Sequence, residues 1–417
     1  MNKNIYEQYG LSDNPFKLEY DHEVVGKSQN ETFDKILHLF SLNSAYKNRS
    51  GNRFIAVLKG EYGYGKSFFH IKLHDSILHK DSRFKKQIDD DIKIAVSFFH
   101  ILTPDKRLPP KVMLHLYKSI VDNLGRNGEE FFYGLYTALE KMAKAQHKKV
   151  EDLISGLDRN FQRAILNLNS SNPGQYTAWK WISGEKLNKK ELDSLSLQFS
   201  INTPELAERY IFQLLKLLKI LDYGLLVVLI DELEQVMTII NEKQFWRTLV
   251  VIQDIFDKYA GIQYSVLTPM TPIGFLGGLT EEAWLSVERG AEEEKGVQAV
   301  RSRIHENVFE FEKFNLDDTR QFIAMLLKKK RVDSFRGDSL VPFTKDSVET
   351  ISEFADGNPR EIINKCQKLL ELAIAKKAPK IDIDLTNQYF EGIGAGDISE
   401  GDAGEGEIGS LEEEEKI

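Results

Sequence analysis

The chain has 417 residues, 41% hydrophobic and 29% charged, an ordinary soluble composition with length for two or three domains. Its net charge of −9 is concentrated at one end: residues 393–417 hold nine acids and one lysine, so the body is near neutral and no global basic field announces nucleic-acid binding. The single cysteine, Cys366, excludes an intramolecular disulfide and a cysteine-based metal cluster. No apolar run approaches the ~18 residues of a membrane span, and the first residues lack a signal-peptide apolar stretch. A cytoplasmic protein without membrane contact is therefore expected.

Residues 9–16 form a turn-rich opening segment. Val24-Val25-Gly26-Lys27 follows as a short apolar turn, placed either to pack on a nucleotide base or to serve as a plain surface loop. Residues 31–43 carry Phe33, Ile36, Leu37, Leu39 and Phe40 at helical spacing. A buried strand over residues 53–58 then leads into Gly60-Glu61-Tyr62-Gly63-Tyr64-Gly65-Lys66-Ser67, and residues 68–74, from Phe68 on, read as the first turns of a helix. This strand, G-x4-G-K-S loop and helix is the phosphate-binding pattern. A triphosphate needs several backbone N–H groups aimed at its oxygens. Gly60, Gly63 and Gly65 allow the positive φ and close approach this requires, and the helix N-terminus adds its own free N–H groups. Lys66 has the reach for the β- and γ-phosphates, and the Ser67 hydroxyl suits Mg²⁺.

Residues 92–99 read as a second strand, and residues 108–124 as a helix opened by Pro109-Pro110 and closed at Gly125. Residues 127–221 are helical throughout, with breaks near Asn172-Pro173-Gly174, Ser183-Gly184 and Asn202-Thr203-Pro204, and read as a helical insertion. Within it Trp179, Trp181 and Ile182 suit a core or an anchor for a partner. Residues 225–230 are an unbroken apolar run ending in Asp231-Glu232, a strand buried on both faces with two carboxylates at its C-terminal edge. There Asp231 suits Mg²⁺, and Glu232 suits acceptance of a proton from an attacking water; an N-cap is the structural alternative for Asp231.

A helix over residues 245–259 precedes a strand over residues 262–267 that ends at Thr268-Pro269. Thr268, with Ser265 second, is the polar residue expected to orient the water between the two active strands. Residues 274–296 read as an acidic loop and residues 308–311 as a short strand. Helices over residues 318–330, 345–355 and 361–375 follow, the last after Gly357-Asn358-Pro359-Arg360. Cys366 is expected to be an inert buried thiol, and the Gly/Glu-rich end from about residue 392 to be disordered.

In this order the phosphate loop, the Asp-Glu strand end, a polar strand end, Arg301-Ser302-Arg303 and the Gly-Asn-Pro-Arg of a helical lid resemble an AAA+ ATPase of the origin-recognition/Cdc6-like group. The loop form and Trp181-Ile182-Ser183-Gly184-Glu185 inside a helical insertion are also similar to ATP-binding proteins of bacterial phage-exclusion (BREX-type) systems. The resemblance implies an α/β P-loop core with a parallel sheet (residues 51–314, insertion at about 127–221). An N-terminal segment (1–50) would pack on that core, and a helical lid (315–392) and acidic tail (393–417) would follow it. It further implies ATP and Mg²⁺ as cofactors, Val25 and Gly26 beside the adenine, and Arg360 as the lid arginine at the γ-phosphate. Arg301 or Arg303 would be the finger donated to a neighbouring subunit. The expected function is an ATP-hydrolysing oligomeric switch or motor in a DNA-related process; the alternative is a nucleotide-loaded scaffold that recruits an effector such as a nuclease. Origin-binding members of that group carry a winged-helix domain after the lid, where this sequence reads as an acidic tail, so direct DNA contact is expected to be weak and sequence-independent at most, through runs such as Lys328-Lys329-Lys330-Arg331 and His147-Lys148-Lys149.

Overall fold

The computed structural model describes residues 5–17, 23–45, 52–103, 105–107, 109–169, 171–263 and 270–395. Within them two compact units separate: a sheet unit of residues 23–322 with 357–361, and a helical unit of residues 5–17, 323–356 and 362–395.

The sheet unit is built on parallel strands β1 (Phe54–Lys59), β2 (Lys93–His100), β3 (Tyr223–Asp231), β4 (Ile273–Leu279) and β5 (Val308–Glu310), in the order β2-β3-β4-β1-β5. Side-chain alternation assigns each strand's residues to two apolar layers. Phe54, Ala56 and Leu58 of β1 join Leu225, Val227 and Leu229 of β3 in one layer. It is covered by Phe33, Ile36, Leu37 and Phe40 of α1 (Lys27–Asn43), Phe69, Leu73 and Ile77 of α2 (Lys66–His79), and Phe84 of α3 (Ser82–Gln87). Ile55 and Val57, with Leu226, Val228 and Ile230, enter the other layer. A strand buried on both faces has no polar side to alternate with, which is why β3 reads as a continuous apolar run.

The second layer continues from α4 (Val112–Asp122) into the insertion. Its helices are α5 (Gly128–Ala145), α6 (Val150–Leu153), α7 (Arg159–Leu166), α8 (Gln175–Ile182), α9 (Lys189–Ser194) and α10 (Pro204–Ile220). The insertion shares one continuous core with the sheet. Trp181 is fully buried, donates Nε1–H to the Phe199 carbonyl at 2.6 Å and meets Tyr210 edge-on at 5.0 Å, while Trp179 packs on Phe132. These tryptophans are core, and the partner-anchor alternative is set aside. Thr203 caps α10 with Pro204 at its first position, as the sequence break implied.

Two readings of the middle of the chain are corrected. Ile262 and Gln263, assigned to a strand, close the long helix α11 (Glu242–Gln263), and residues 264–269, with Ser265 and Thr268, lie outside the described residues. The strand between β3 and β1 is β4, which apart from Ile273 lies inside the stretch read as an acidic loop. The sequence Ile-Gly-Phe-Leu-Gly-Gly-Leu scores poorly as a strand because glycine is depleted there. Here close packing demands it: a Cβ on Gly274 would lie 2.1 Å from the Phe54 ring. The rest of that stretch is α12 (Glu281–Glu293), opened by the Thr280 hydroxyl accepting from the Ala283 N–H, followed by α13 (Lys295–Ile304). Helix α1 also starts four residues earlier than its apolar periodicity implied. Its first turn is polar, and its position is fixed by the Lys27 N–H donating to Asp318 Oδ1 at 3.0 Å.

Helices α14 (Leu316–Lys329) and α16 (Pro359–Ala375) begin in the sheet unit and continue into the helical unit, which also contains α15 (Lys345–Phe354) and α17 (Ile383–Ala395). Helix α17 carries regular structure to residue 395, past the expected onset of disorder at 392; the remaining tail lies outside the described residues. Arg331 of the basic run is committed inside the unit: it donates to the carbonyls of Tyr9, Ser339 and Val341 and lies over the Phe335 ring. It is therefore withdrawn from the residues offered to a phosphate backbone. Cys366 is fully buried, and burial pushes its thiol well above the usual value, as befits an inert side chain.

Gly274→Ala is expected to destabilise the protein by about 1–3 kcal/mol through overpacking at the sheet centre. Gly134→Ala, on α5 where a Cβ meets nothing within 4 Å, is expected to stabilise by about 0.5–1 kcal/mol. Urea denaturation of the two variants beside wild type measures both.

Candidate nucleotide site

The sheet order puts β4 between β1 and β3, so the loop after β1 and the carboxylates ending β3 emerge at the same C-terminal edge, where such sheets take ligands. Gly63 and Gly65 adopt φ of 86° and 90°, the left-handed region. Gly65 is the N-cap of α2 and has no side chain that could satisfy the free N–H groups of the first turn. Lys66 is buried; its Nζ donates to the carbonyl of Gly60 at 2.7 Å and of Glu61 at 3.3 Å and lies 3.5 Å from Glu234 Oε1. Burial pushes the Glu234 carboxyl above its usual range, with Lys66 pulling against the rise.

Asp231 ends β3 with 1% of its surface exposed. Burial alone would raise its pKa. Hydrogen bonds from His70 and Ser67 and the nearness of His100 outweigh that and hold it below the usual carboxylate value. In the parallel register His100 of β2 stands opposite Asp231. Its Nδ1 lies 3.6 Å from Asp231 Oδ2 and 3.3 Å from Glu232 Oε2. The Glu232 carboxylate raises the His100 pKa above the ordinary value, against the opposing effect of partial burial, and Asp231 adds to the rise. Glu232 itself has φ of 56°, a conformation that costs a non-glycine residue about 1–3 kcal/mol.

Gly357-Asn358-Pro359-Arg360 reaches the same loop. The Phe314 N–H donates to the Gly357 carbonyl at 2.9 Å. The Asn358 Oδ1 accepts from the N–H of Arg360 at 3.0 Å, capping α16, while its Nδ2 donates to the Tyr62 carbonyl at 2.8 Å. The Arg360 guanidinium lies over the Tyr62 ring, 4.7 Å from its centroid, and donates to the Tyr62 hydroxyl. Tyr62 is 67% exposed, so the loop offers an aromatic face to solvent and to Arg360 together.

The expected site residues thus separate into those gathered at this edge and those held elsewhere. Gly60, Glu61, Tyr62, Gly63, Tyr64, Gly65, Lys66, Ser67, Phe68, Asp231, Glu232 and Arg360 belong to the loop, the start of α2, the end of β3 and the start of α16. Val25 and Gly26 lead into α1, whose first turn is tied to the segment after β5 through Gln29 Nε2 donating to the Glu312 carbonyl at 2.9 Å. Arg301 and Arg303 lie on α13, where Glu288 (3.8 Å) and Asp257 (3.5 Å) of the same chain meet their charges. Thr268 lies outside the described residues. The logic that selected it, a polar residue at the end of the strand between β3 and β1, leads on β4 to Thr280, which follows Leu279 opposite Lys59.

Sequence reasoning passed over His70, His100 and Glu234. A signal existed for His70, which stands three residues beyond Ser67 and so on the same helix face. His100 and Glu234 are legible only once the register of β2 on β3 and the turn after β3 are known.

The residues present fit a magnesium ion. Asp231 Oδ2 is buried without a hydrogen-bond partner, and Ser67 stands on α2, the helix whose His70 meets the same carboxylate, so the two side chains offer oxygen donors only. Among the described residues no cluster of three or more His, Cys, Asp or Glu is set to hold a metal by itself. A magnesium ion bound mainly through phosphates and water needs only one or two protein oxygens.

Among solved structures, the ORC2 protein of Aeropyrum pernix in its ADPNP-ADP complexes aligns over 92% of this chain and 72% of its own, at 11% identity and a TM-score of 0.51. This chain has the AAA+ P-loop ATPase fold. The ORC1 protein of the same organism in complex with DNA (10% identity; 91% and 68% covered; TM-score 0.44) and Cdc6p of Pyrobaculum aerophilum (11%; 89% and 68%; 0.42) are also similar. Residues 142–333 match the family model of the BREX system ATP-binding proteins BrxC/D. That match takes in most of the insertion, β3, β4 and β5. No curated protein matches the chain.

If Glu232 sets the His100 charge state, Glu232→Gln should lower the His100 pKa toward the ordinary imidazole value. A histidine-labelled NMR titration reads the shift; an unmoved midpoint would separate the two groups electrically.

Proposed function

We propose that the chain binds ATP with Mg²⁺ at the β1–β3 edge and hydrolyses it, working as a nucleotide-dependent oligomeric switch or motor in a DNA-linked process of the phage-exclusion kind. The observation that carries this reading is the convergence of the loop, its helix and the end of β3 at one sheet edge: Lys66 Nζ lies 3.5 Å from Glu234 Oε1, and His70 of the helix that Lys66 opens stands 3.3 Å from the buried Asp231 carboxylate. The BREX ATP-binding family model over residues 142–333 supports the pathway.

In this reading Ser67 and Asp231 would hold Mg²⁺, which would supply positive charge against the phosphate oxygens. The backbone N–H groups of residues 60–67 and the first turn of α2 cradle the phosphates. Lys66 leaves its carbonyl contacts and Glu234 to meet the phosphate oxygens. Glu232 accepts the proton of the attacking water, and Arg360 turns from Tyr62 toward the γ-phosphate. Arg301 or Arg303 is donated to the neighbouring subunit's site after exchanging its own-chain carboxylate for phosphate. Val25 and Gly26 border the base, and Thr268 or Thr280 orients the water.

The alternative scaffold reading, with little turnover and an effector as partner, draws support from one feature. Both candidate finger arginines are already matched by Glu288 and Asp257, so charge for a neighbour's phosphate is not standing free.

Lys66→Ala is expected to abolish ATP binding measured by calorimetry with magnesium. Glu232→Gln is expected to retain binding and lower steady-state hydrolysis by at least ~100-fold, in the range of general-base contributions. Normal turnover by that variant removes Glu232 from the role. Tight ATP binding by wild type with no detectable hydrolysis, with or without DNA, favours the scaffold. Size-exclusion with a slowly hydrolysed analogue tests the oligomer: assembly only with nucleotide is expected.

A further inference from the structure

We propose that His70 is a positioning residue for Asp231. Its Nδ1–H fixes one carboxylate oxygen so that the other faces the magnesium ion of a bound nucleotide. This rests on the nucleotide reading above.

His70 is completely buried on α2, one turn beyond Ser67. Its Nδ1 stands 3.3 Å from Asp231 Oδ1. An ionised carboxylate only accepts, so this ring nitrogen carries the hydrogen. The other ring nitrogen, Nε2, is buried and has no hydrogen-bond partner. An imidazole held only for its volume, with one nitrogen unsatisfied, is more costly than an apolar side chain of similar size. Asp231 Oδ1 is thereby engaged, while Oδ2 is left without a hydrogen bond, with His100 Nδ1 3.6 Å away. One oxygen held and one open is the arrangement that outer hydrogen bonds give to metal-ligating carboxylates.

The placement has a second consequence. Ser67 and His70 are three residues apart on one helix face, and His70 reaches Asp231. The helix that carries the phosphate loop therefore also orients the carboxylate of β3. The metal position is referenced to the loop rather than to β3 alone.

The test uses His70→Leu, which fills the space without a donor, and His70→Asn, whose amide N–H reaches the Nδ1 position. A fluorescent ATP analogue is bound to the full-length protein in EDTA, and Mg²⁺ is then titrated into the complex. For His70→Leu, the analogue's affinity in EDTA is expected within about two-fold of wild type, with the Mg²⁺ midpoint raised about 10–100-fold, the range seen when outer-shell partners of metal ligands are removed. His70→Asn is expected to restore most of that loss. Adding His70→Leu to Asp231→Asn is expected to shift the midpoint no further.

An unchanged Mg²⁺ midpoint in folded His70→Leu overturns the proposal. So does an equal loss of affinity with and without Mg²⁺, the mark of a merely structural residue. Where His70→Leu does not fold, a folded His70→Asn whose Mg²⁺ midpoint rises by the full ~10–100-fold overturns it as well, because the retained donor is expected to preserve the midpoint. Wild-type protein that takes up no nucleotide in either condition removes the nucleotide reading itself, an outcome distinct from a nucleotide-binding protein whose Mg²⁺ response ignores His70.

Discussion

A carboxylate closed off from water at the end of a central strand must be compensated from outside that strand. Asp231 is nearly inaccessible, and the groups that offset its burial come from α2 and β2: His70 and Ser67 on the first, His100 on the second. This requirement ties the order of the sheet to the chemistry of its edge. The strand order β2-β3-β4-β1-β5 sets β2 directly beside β3, so His100 falls opposite Asp231. It places β1 one strand further away, and α2, rooted in the phosphate loop, crosses that distance to bring His70 to Asp231. The alternating layers of the core hold α2 against the sheet through Phe69, Leu73 and Ile77, so the polar contacts depend on apolar packing along the same helix.

The insertion is part of this support. Residues 127–221 separate the phosphate loop from β3 in sequence, yet their aromatic side chains share a core with the sheet. Trp181, Tyr210 and Phe132 bury ring surface where an appended module would expose it. A segment packed this way cannot be removed without opening one face of β3, whose residues Leu226, Val228 and Ile230 lie in the same layer.

Much of this was legible in the sequence, and the reasons are specific. The phosphate loop carries its meaning in glycine positions and one lysine, whose chemistry depends little on distant neighbours. Strand β3 is an apolar run too short for a helix of its own and bounded by acids. Strand β4 was not legible: its three glycines answer to the ring of Phe54 and to side chains of other elements, information absent from any local window. The paired charges at Arg301 and Arg303 were hidden for the same reason, since Glu288 and Asp257 are neighbours only after α11, α12 and α13 have packed. His100 depends on a strand register, and His70 on recognising that a histidine in a helix's first turns looks inward.

The backbone at Glu232 has one more consequence. A left-handed residue is tolerated most cheaply as glycine, yet the position carries a carboxylate next to His100. Glycine there would relax the turn and remove the acid in a single step. Folding robustness and the role proposed for Glu232 therefore pull in opposite directions at one residue, and a heat-challenge library screened for survival alone would enrich variants that had lost the acid.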